Sequence, residues 1–163
     1  MKNILLFATL FLSLVACAAS PLLNHDKAGS HKNNVNTAED ETCPFTFLDV
    51  DSKNLCAKAF WIVGPVLQPT ESKFDLKFWE KDVGNAEEGP YIDPGYDVHS
   101  YLWMKMPNGH EHPSSPFDIV ETGMGVYNMT GVYFTMTGKW ELHVQLKDGD
   151  LVYKKAMQPI TIE

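Results

Sequence analysis

The chain has 163 residues, enough for one domain or at most two. Hydrophobic residues make up 44% of it and charged residues 21%, which is typical of a globular protein and excludes both a disordered chain and a multispanning membrane protein. The formal net charge is −8, and all 13 basic residues are lysines. Because nucleic-acid binders concentrate Lys and Arg on a basic face, the composition excludes that class.

The first residues resemble a bacterial export signal. A positive start at Lys2 precedes an apolar run over residues 4–16, which is too short for a permanent membrane span but has the length of a signal-peptide core. The run ends in Leu-Val-Ala-Cys, with Cys17 at the position that bacterial lipoproteins acylate. We therefore expect residues 1–16 to be a signal peptide and Cys17 to be the lipid attachment site. An ordinary signal, cleaved without acylation, is the alternative.

The lipid anchor sets the expected location. An acylated Cys17 would hold the chain on a bacterial membrane, facing the periplasm. In an enteric-type bacterium, Ala18 in place of Asp after that Cys favours the outer membrane over the inner one. Residues 17–42 are rich in Asn, Ser and acidic residues and lack apolar periodicity, so a flexible tether is expected there.

The two remaining cysteines predict a disulfide. Cys43 and Cys56 lack the C-x-x-C spacing of a zinc or redox site. Exported proteins meet oxidising conditions, which favours a bond between them, worth about 3 kcal/mol by loop entropy. Two buried free thiols are the alternative.

From residue 43 onward the chain is patterned as short β-strands. Aromatic and β-branched residues concentrate in seven stretches, which turn-forming Gly, Pro, Asn and Asp residues separate. Seven strands over roughly 120 residues predict an all-β, immunoglobulin-like antiparallel β-sandwich in residues 43–163, with a small closed barrel as the alternative. The predicted strands are Cys56–Val63, Lys73–Trp79, Val98–Met104, Phe117–Glu121, Val132–Met136, Trp140–Leu146 and Leu151–Ile162.

Alternation within these strands predicts which residues form the core. From residue 140 to residue 146, apolar residues alternate with polar ones, so one side of this strand is expected to be buried and the other exposed. His143 falls on the exposed side. The predicted core residues are Trp140, Leu142, Val144 and Phe134, with either Trp103 or its neighbour Leu102.

Two stretches within about residues 98–147 carry short motifs in a specific order. The first, residues 103–113, reads Trp-Met-Lys-Met-Pro-Asn-Gly-His-Glu-His-Pro. The second has Gly-Val-Tyr at residues 125–127, followed by Phe-Thr-Met-Thr-Gly-Lys-Trp at residues 134–140. Together they resemble the YtkA-like/FixH family of small exported β-sandwich domains. Some members accompany copper handling or respiratory-oxidase assembly, so the resemblance implies an envelope accessory protein with such partners. Thr135 stands where members often carry a His, which removes one candidate ligand.

The same stretches contain candidate copper ligands. Met104 and Met106 are two residues apart, as are His110 and His112, so each pair projects to one side of an extended chain. Thioethers favour Cu(I) and imidazole accepts Cu(II), so this loop could close on one copper ion, with Met136 as a further ligand. The alternative is that Met104 and Met136 fill the core and that the histidines are solvated.

A non-enzyme is expected, because no nucleophile elbow, phosphate-binding glycine loop or His-Glu-x-x-His motif occurs. His99, Tyr101 and Trp103 form an aromatic row along one strand, for which cross-strand packing or ligand binding are the two interpretations. The predicted function is a lipid-anchored accessory protein that binds copper. The alternative is a metal-free interaction module that docks an envelope or membrane partner.

Overall fold

The structure, a computed structural model, describes residues 42–163. Within that range the chain forms nine β-strands, and no helix there is long and apolar enough to cross a membrane. The expectations for a signal peptide, for acylation of Cys17 and for most of the tether lie outside the described residues. The strands are β1 Phe45–Val50, β2 Lys53–Val63, β3 Ser72–Glu80, β4 Asp97–Lys105, β5 Glu111–Pro113, β6 Asp118–Gly123, β7 Val126–Val132, β8 Gly138–Asp148 and β9 Leu151–Ile162.

The strands form two antiparallel sheets, which confirms the predicted all-β sandwich. One sheet has the order β1-β2-β3-β7-β6 and the other has the order β5-β4-β8-β9. Apolar side chains from alternate positions of both sheets meet in a single main core. The strand count is nine rather than about seven, because β1, β7 and the three-residue β5 were not among the predicted strands.

The predicted strand Val132–Met136 is wrong. Strand β7 ends at Val132, and the next five residues carry the chain from the first sheet to the second. Phe134 makes only an isolated bridge to Leu67, yet its side chain is fully buried. An extended segment that crosses between the sheets can therefore show the same alternation of apolar and polar residues as a strand. The reason is that its inward-facing side chains pack against the core.

The predicted core is confirmed. Trp140, Leu142, Val144, Phe134 and Leu102 are all at most 2% exposed. Leu102 rather than Trp103 is the core member on β4, because successive residues of a strand face opposite sides of the sheet.

The predicted disulfide is confirmed. Cys43 and Cys56 are bonded, with their Cα atoms 5.2 Å apart. The bond joins the segment before β1 to β2, and it packs with Trp79, Ala86 and Phe60 in a second, smaller cluster. The edge of the first sheet is therefore fixed covalently.

Candidate functional site

The hairpin formed by β4 and β5 carries four of the five predicted copper ligands. Met104 lies directly opposite His112 in the antiparallel register. Lys105 pairs with Glu111, and Met106 then lies opposite His110, where the Met106 N–H donates a hydrogen bond to the His110 carbonyl at 2.8 Å. The prediction of a loop here is thus corrected in part, because His112 lies in β5.

A tight three-residue turn fixes this register. Gly109 has a φ of 82°, in the left-handed region that glycine adopts without steric cost. Its N–H donates to the Met106 carbonyl at 3.0 Å, and the Asn108 side chain accepts a bond from the His110 N–H at 3.0 Å. Pro107, Asn108 and Gly109 are therefore the residues that make the hairpin close where it does.

The pairing places the two methionines and the two histidines on one face of the hairpin. Residues directly opposite each other in an antiparallel pair project to the same side, with Cβ atoms about 4.5–5.5 Å apart. Met104 is 7% exposed and belongs to the main core, Met106 is half-buried, and both histidines are exposed. The face therefore has a buried thioether at one side and solvent-exposed imidazole rings at the other.

Met104 also approaches the start of β8. A Cβ built on Gly138 would lie 2.6 Å from the methyl carbon of Met104, so this methyl group occupies space that any larger residue would need. Met136 lies two residues earlier, and its carbonyl accepts a hydrogen bond from the Trp140 indole N–H at 3.0 Å. Its side chain is half-buried against the main core.

The five predicted ligands thus lie at one corner of the sandwich, which we call the methionine corner: Met104, Met106, His110, His112 and Met136. In residues 42–163, no group of three or more His, Cys, Asp or Glu side chains is placed to hold a metal ion. A site at this corner would depend on its thioethers. Its role in metal binding stays a prediction.

The outer face of the same sheet carries the aromatic row. The rings of Tyr101 and His143 stack at 4.9 Å, and Trp103 meets Tyr101 edge-on at 6.3 Å. His143 is also within 2.9 Å of Glu141, so the expectation of an exposed His143 is corrected to a side chain that is 17% exposed. Burial lowers the pKa of His143 and of His99 below the usual histidine value. The row therefore packs against the neighbouring strand, which agrees with the cross-strand packing interpretation.

An acidic cleft lies at the opposite end of β4 and β8, and sequence reasoning missed it. It has a volume of about 560 Å³. The Tyr96 hydroxyl donates to Asp51 at 2.9 Å, which with burial raises the pKa of Tyr96 to about 12. Burial and the nearby Asp93 raise the pKa of Tyr127 as well. The carboxylates that line the cleft are Asp51, Asp93, Asp97, Glu121 and Asp148.

These features define a small β-sandwich domain with a methionine- and histidine-bearing hairpin. The model of the YtkA-like family matches residues 88–145, so this part of the chain is similar to a YtkA-like domain. The matched range runs from before β4 into β8 and contains the whole methionine corner. No curated protein and no solved structure matches the chain. The likeness to FixH and the lipoprotein signal stay predictions.

Proposed function

We propose that this chain is a lipid-anchored, non-enzymatic accessory protein of the bacterial envelope that binds copper(I) at the methionine corner. The observation that carries the proposal is the register of the β4–β5 hairpin. It pairs Met104 with His112 and aligns Met106 with His110, so four donors of suitable chemistry share one face.

The donor set fits Cu(I) better than other common metals. Thioether sulfur is a soft ligand that favours Cu(I), and imidazole binds copper in either oxidation state. Zinc sites are usually built from Cys, His, Asp and Glu, which do not converge within the described residues. Met106 and the two histidines are reachable from solvent, while Met104 would contact the ion from the core side.

Two observations support the envelope location. The Cys43–Cys56 disulfide is typical of an oxidising compartment. The YtkA-like match at residues 88–145 agrees with the resemblance noted in the sequence, which implies an exported domain that accompanies copper-handling or respiratory proteins. A membrane and a protein of that kind are therefore the proposed partners.

The test is a titration of the purified full-length chain with Cu(I), in competition with a chromophoric chelator. We expect one tightly held Cu(I) per chain and weaker binding of Cu(II) and Zn²⁺. Replacing both His110 and His112 with Ala should abolish tight uptake and leave the melting temperature of the metal-free protein unchanged, because both side chains are exposed.

The matched control replaces His25 and His31 with Ala, which removes two histidines outside the hairpin. That variant should bind Cu(I) like the wild type. Full uptake by the His110/His112 variant, or none by the wild type, would contradict the proposal.

The half-buried aromatic row on the outer face favours a second candidate function, a metal-free interaction module. No described strand covers this face, and Tyr101, Trp103 and His143 lie at its centre. Aromatic residues are enriched at protein–protein contacts. This function would replace the first if the wild-type chain took up no copper.

A further inference from the structure

We propose that the indole ring of Trp140 forms the inner wall of the copper(I) site, and that Gly138 is the residue that lets the Met104 thioether reach the ion. This inference rests on the proposed function and adds two residues to the site. Neither residue is a conventional metal ligand, and both are placed by the packing of β8 against β4.

The first step is a row of side chains across the second sheet. His112, Met104 and Trp140 lie directly opposite one another on β5, β4 and β8. They share one face of the sheet, so neighbouring Cβ atoms in the row are about 5 Å apart. An ion bound between His112 and Met104 would therefore lie one side chain away from Trp140.

The second step is the direction of Met104. Its methyl carbon lies against Gly138, two residues before Trp140 on the same face of β8. The thioether therefore leans along β8 toward the hairpin end, where Met106 and His110 lie, and runs beside Trp140. With a Cβ at residue 138, the methyl end of Met104 would have to shift, and the φ of 129° would also strain the backbone of any residue other than glycine.

The third step is the fixed orientation of the indole. Its N–H already donates to the Met136 carbonyl at 3.0 Å, and Phe134 packs against the ring edge-to-face at 5.7 Å. The indole N–H is therefore already used in a hydrogen bond and is not available to a ligand. What Trp140 offers to a nearby cation is its π system.

A cation within about 6 Å of an indole ring is attracted to it, and more strongly where water is excluded. Trp140 is 2% exposed, so its side of the site would be shielded from water. Trp140 would thus add a cation–π contact to the bound ion in a site whose other side is open to solvent. It would also give the bound state a distinct spectroscopic signature.

The experiment follows the indole N–H signals of the 15N-labelled full-length chain by NMR as Cu(I) is added. The chain has four tryptophans, whose signals are assigned from the Trp61→Phe, Trp79→Phe and Trp103→Phe variants and by elimination. We expect the Trp140 signal to shift with one equivalent of Cu(I). The Trp79 signal should stay in place, because that ring packs beside the disulfide.

Affinity measurements test the same contact. Trp140→Phe should weaken Cu(I) binding roughly 2- to 30-fold without changing its stoichiometry. Gly138→Ala should also weaken binding, but it should cause no further loss when Met104 is already Ala, because its effect acts through Met104. A general loss of stability would not produce this dependence on Met104.

Two results would overturn the inference in distinguishable ways. Stoichiometric Cu(I) uptake with an unmoved Trp140 signal would remove Trp140 from the site and leave the proposed function intact. An absence of uptake by the wild type would overturn both. Additive effects of Gly138→Ala and Met104→Ala would remove the positioning role of Gly138.

Discussion

The methionine corner and the acidic cleft lie at the two ends of β4 and β8, roughly 27 Å apart along the strands, and they differ in both chemistry and construction. The corner presents thioether and imidazole groups. The cleft presents carboxylates and tyrosine hydroxyls. The corner comes chiefly from one hairpin, whereas the cleft is assembled from loops and strand ends that are far apart in sequence.

The two regions also differ in how they join the core. Met104 belongs to the main core, as does Trp140 opposite it on β8, so the corner is joined directly to residues that hold the sheets together. The cleft is open, and its charged side chains Asp51, Asp93 and Asp97 are exposed. Changes at the corner should therefore alter the stability of the fold, and changes at the cleft should alter its charge and pH response.

The largest expected effect is at Trp140, beside the methionine corner. Replacing Trp140 with Ala should lower the free energy of unfolding by about 3–5 kcal/mol, because the change leaves a large cavity in the core. Chemical denaturation measures the loss. Trp103→Ala, on the half-buried outer face, is the matched control and should cost clearly less. A loss for Trp140→Ala well below 3 kcal/mol and no larger than that for Trp103→Ala would contradict the core role of Trp140.

The cleft should instead lower the stability of the fold at alkaline pH. The pKa of Tyr96 is raised to about 12, so the folded state holds this proton while the unfolded chain releases it near pH 10. Stability is therefore fully present below pH 10 and falls between pH 10 and about 12. Tyr96→Phe should flatten that fall in a series of denaturation curves. An unchanged alkaline slope would contradict the Tyr96–Asp51 bond.

Local signals made the corner predictable. The alternation from Trp140 to Leu146 indicates a buried face, and the Pro-Asn-Gly turn marks the place where two Met/His pairs meet. The residues of the corner were therefore identifiable, but their pairing was not. That Met104 lies opposite His112 follows from the hairpin register, which depends on where the turn closes.

The cleft was not predictable for a physical reason. Asp51, Asp93, Glu121 and Asp148 come from separate turns and strand ends, and each alone looks like an ordinary solvated charge. Only the antiparallel order of the strands brings these segments together. The wrong prediction of a strand at residues 132–136 has a related cause. Alternation of apolar and polar residues does not distinguish a hydrogen-bonded strand from an extended segment that crosses between the sheets.

A smaller effect is expected on the acid side, from the outer face between the two regions. Burial lowers the pKa of His99 and His143, so below about pH 6.5 the unfolded chain binds protons that the folded one does not. Stability is present above that pH and is lost as the pH falls through the window below it. Replacing both residues with Gln should flatten the acid limb of a stability profile.

The smallest effect should come from neutralising the cleft. Asp97→Asn and Glu121→Gln each remove one charge from a region where several carboxylates lie together, and both side chains are exposed. Each change should therefore shift the free energy of unfolding by no more than about 0.5 kcal/mol, and relief of repulsion favours a gain. The gain should disappear at high salt, because exposed charges are screened beyond a Debye length of about 8 Å at physiological ionic strength. Since the corner is farther away than that, the Cu(I) affinity of both variants should equal that of the wild type in the chelator competition. A tenfold change in affinity would show that the two ends of β4 and β8 are coupled, and the corner would then no longer be an independent site.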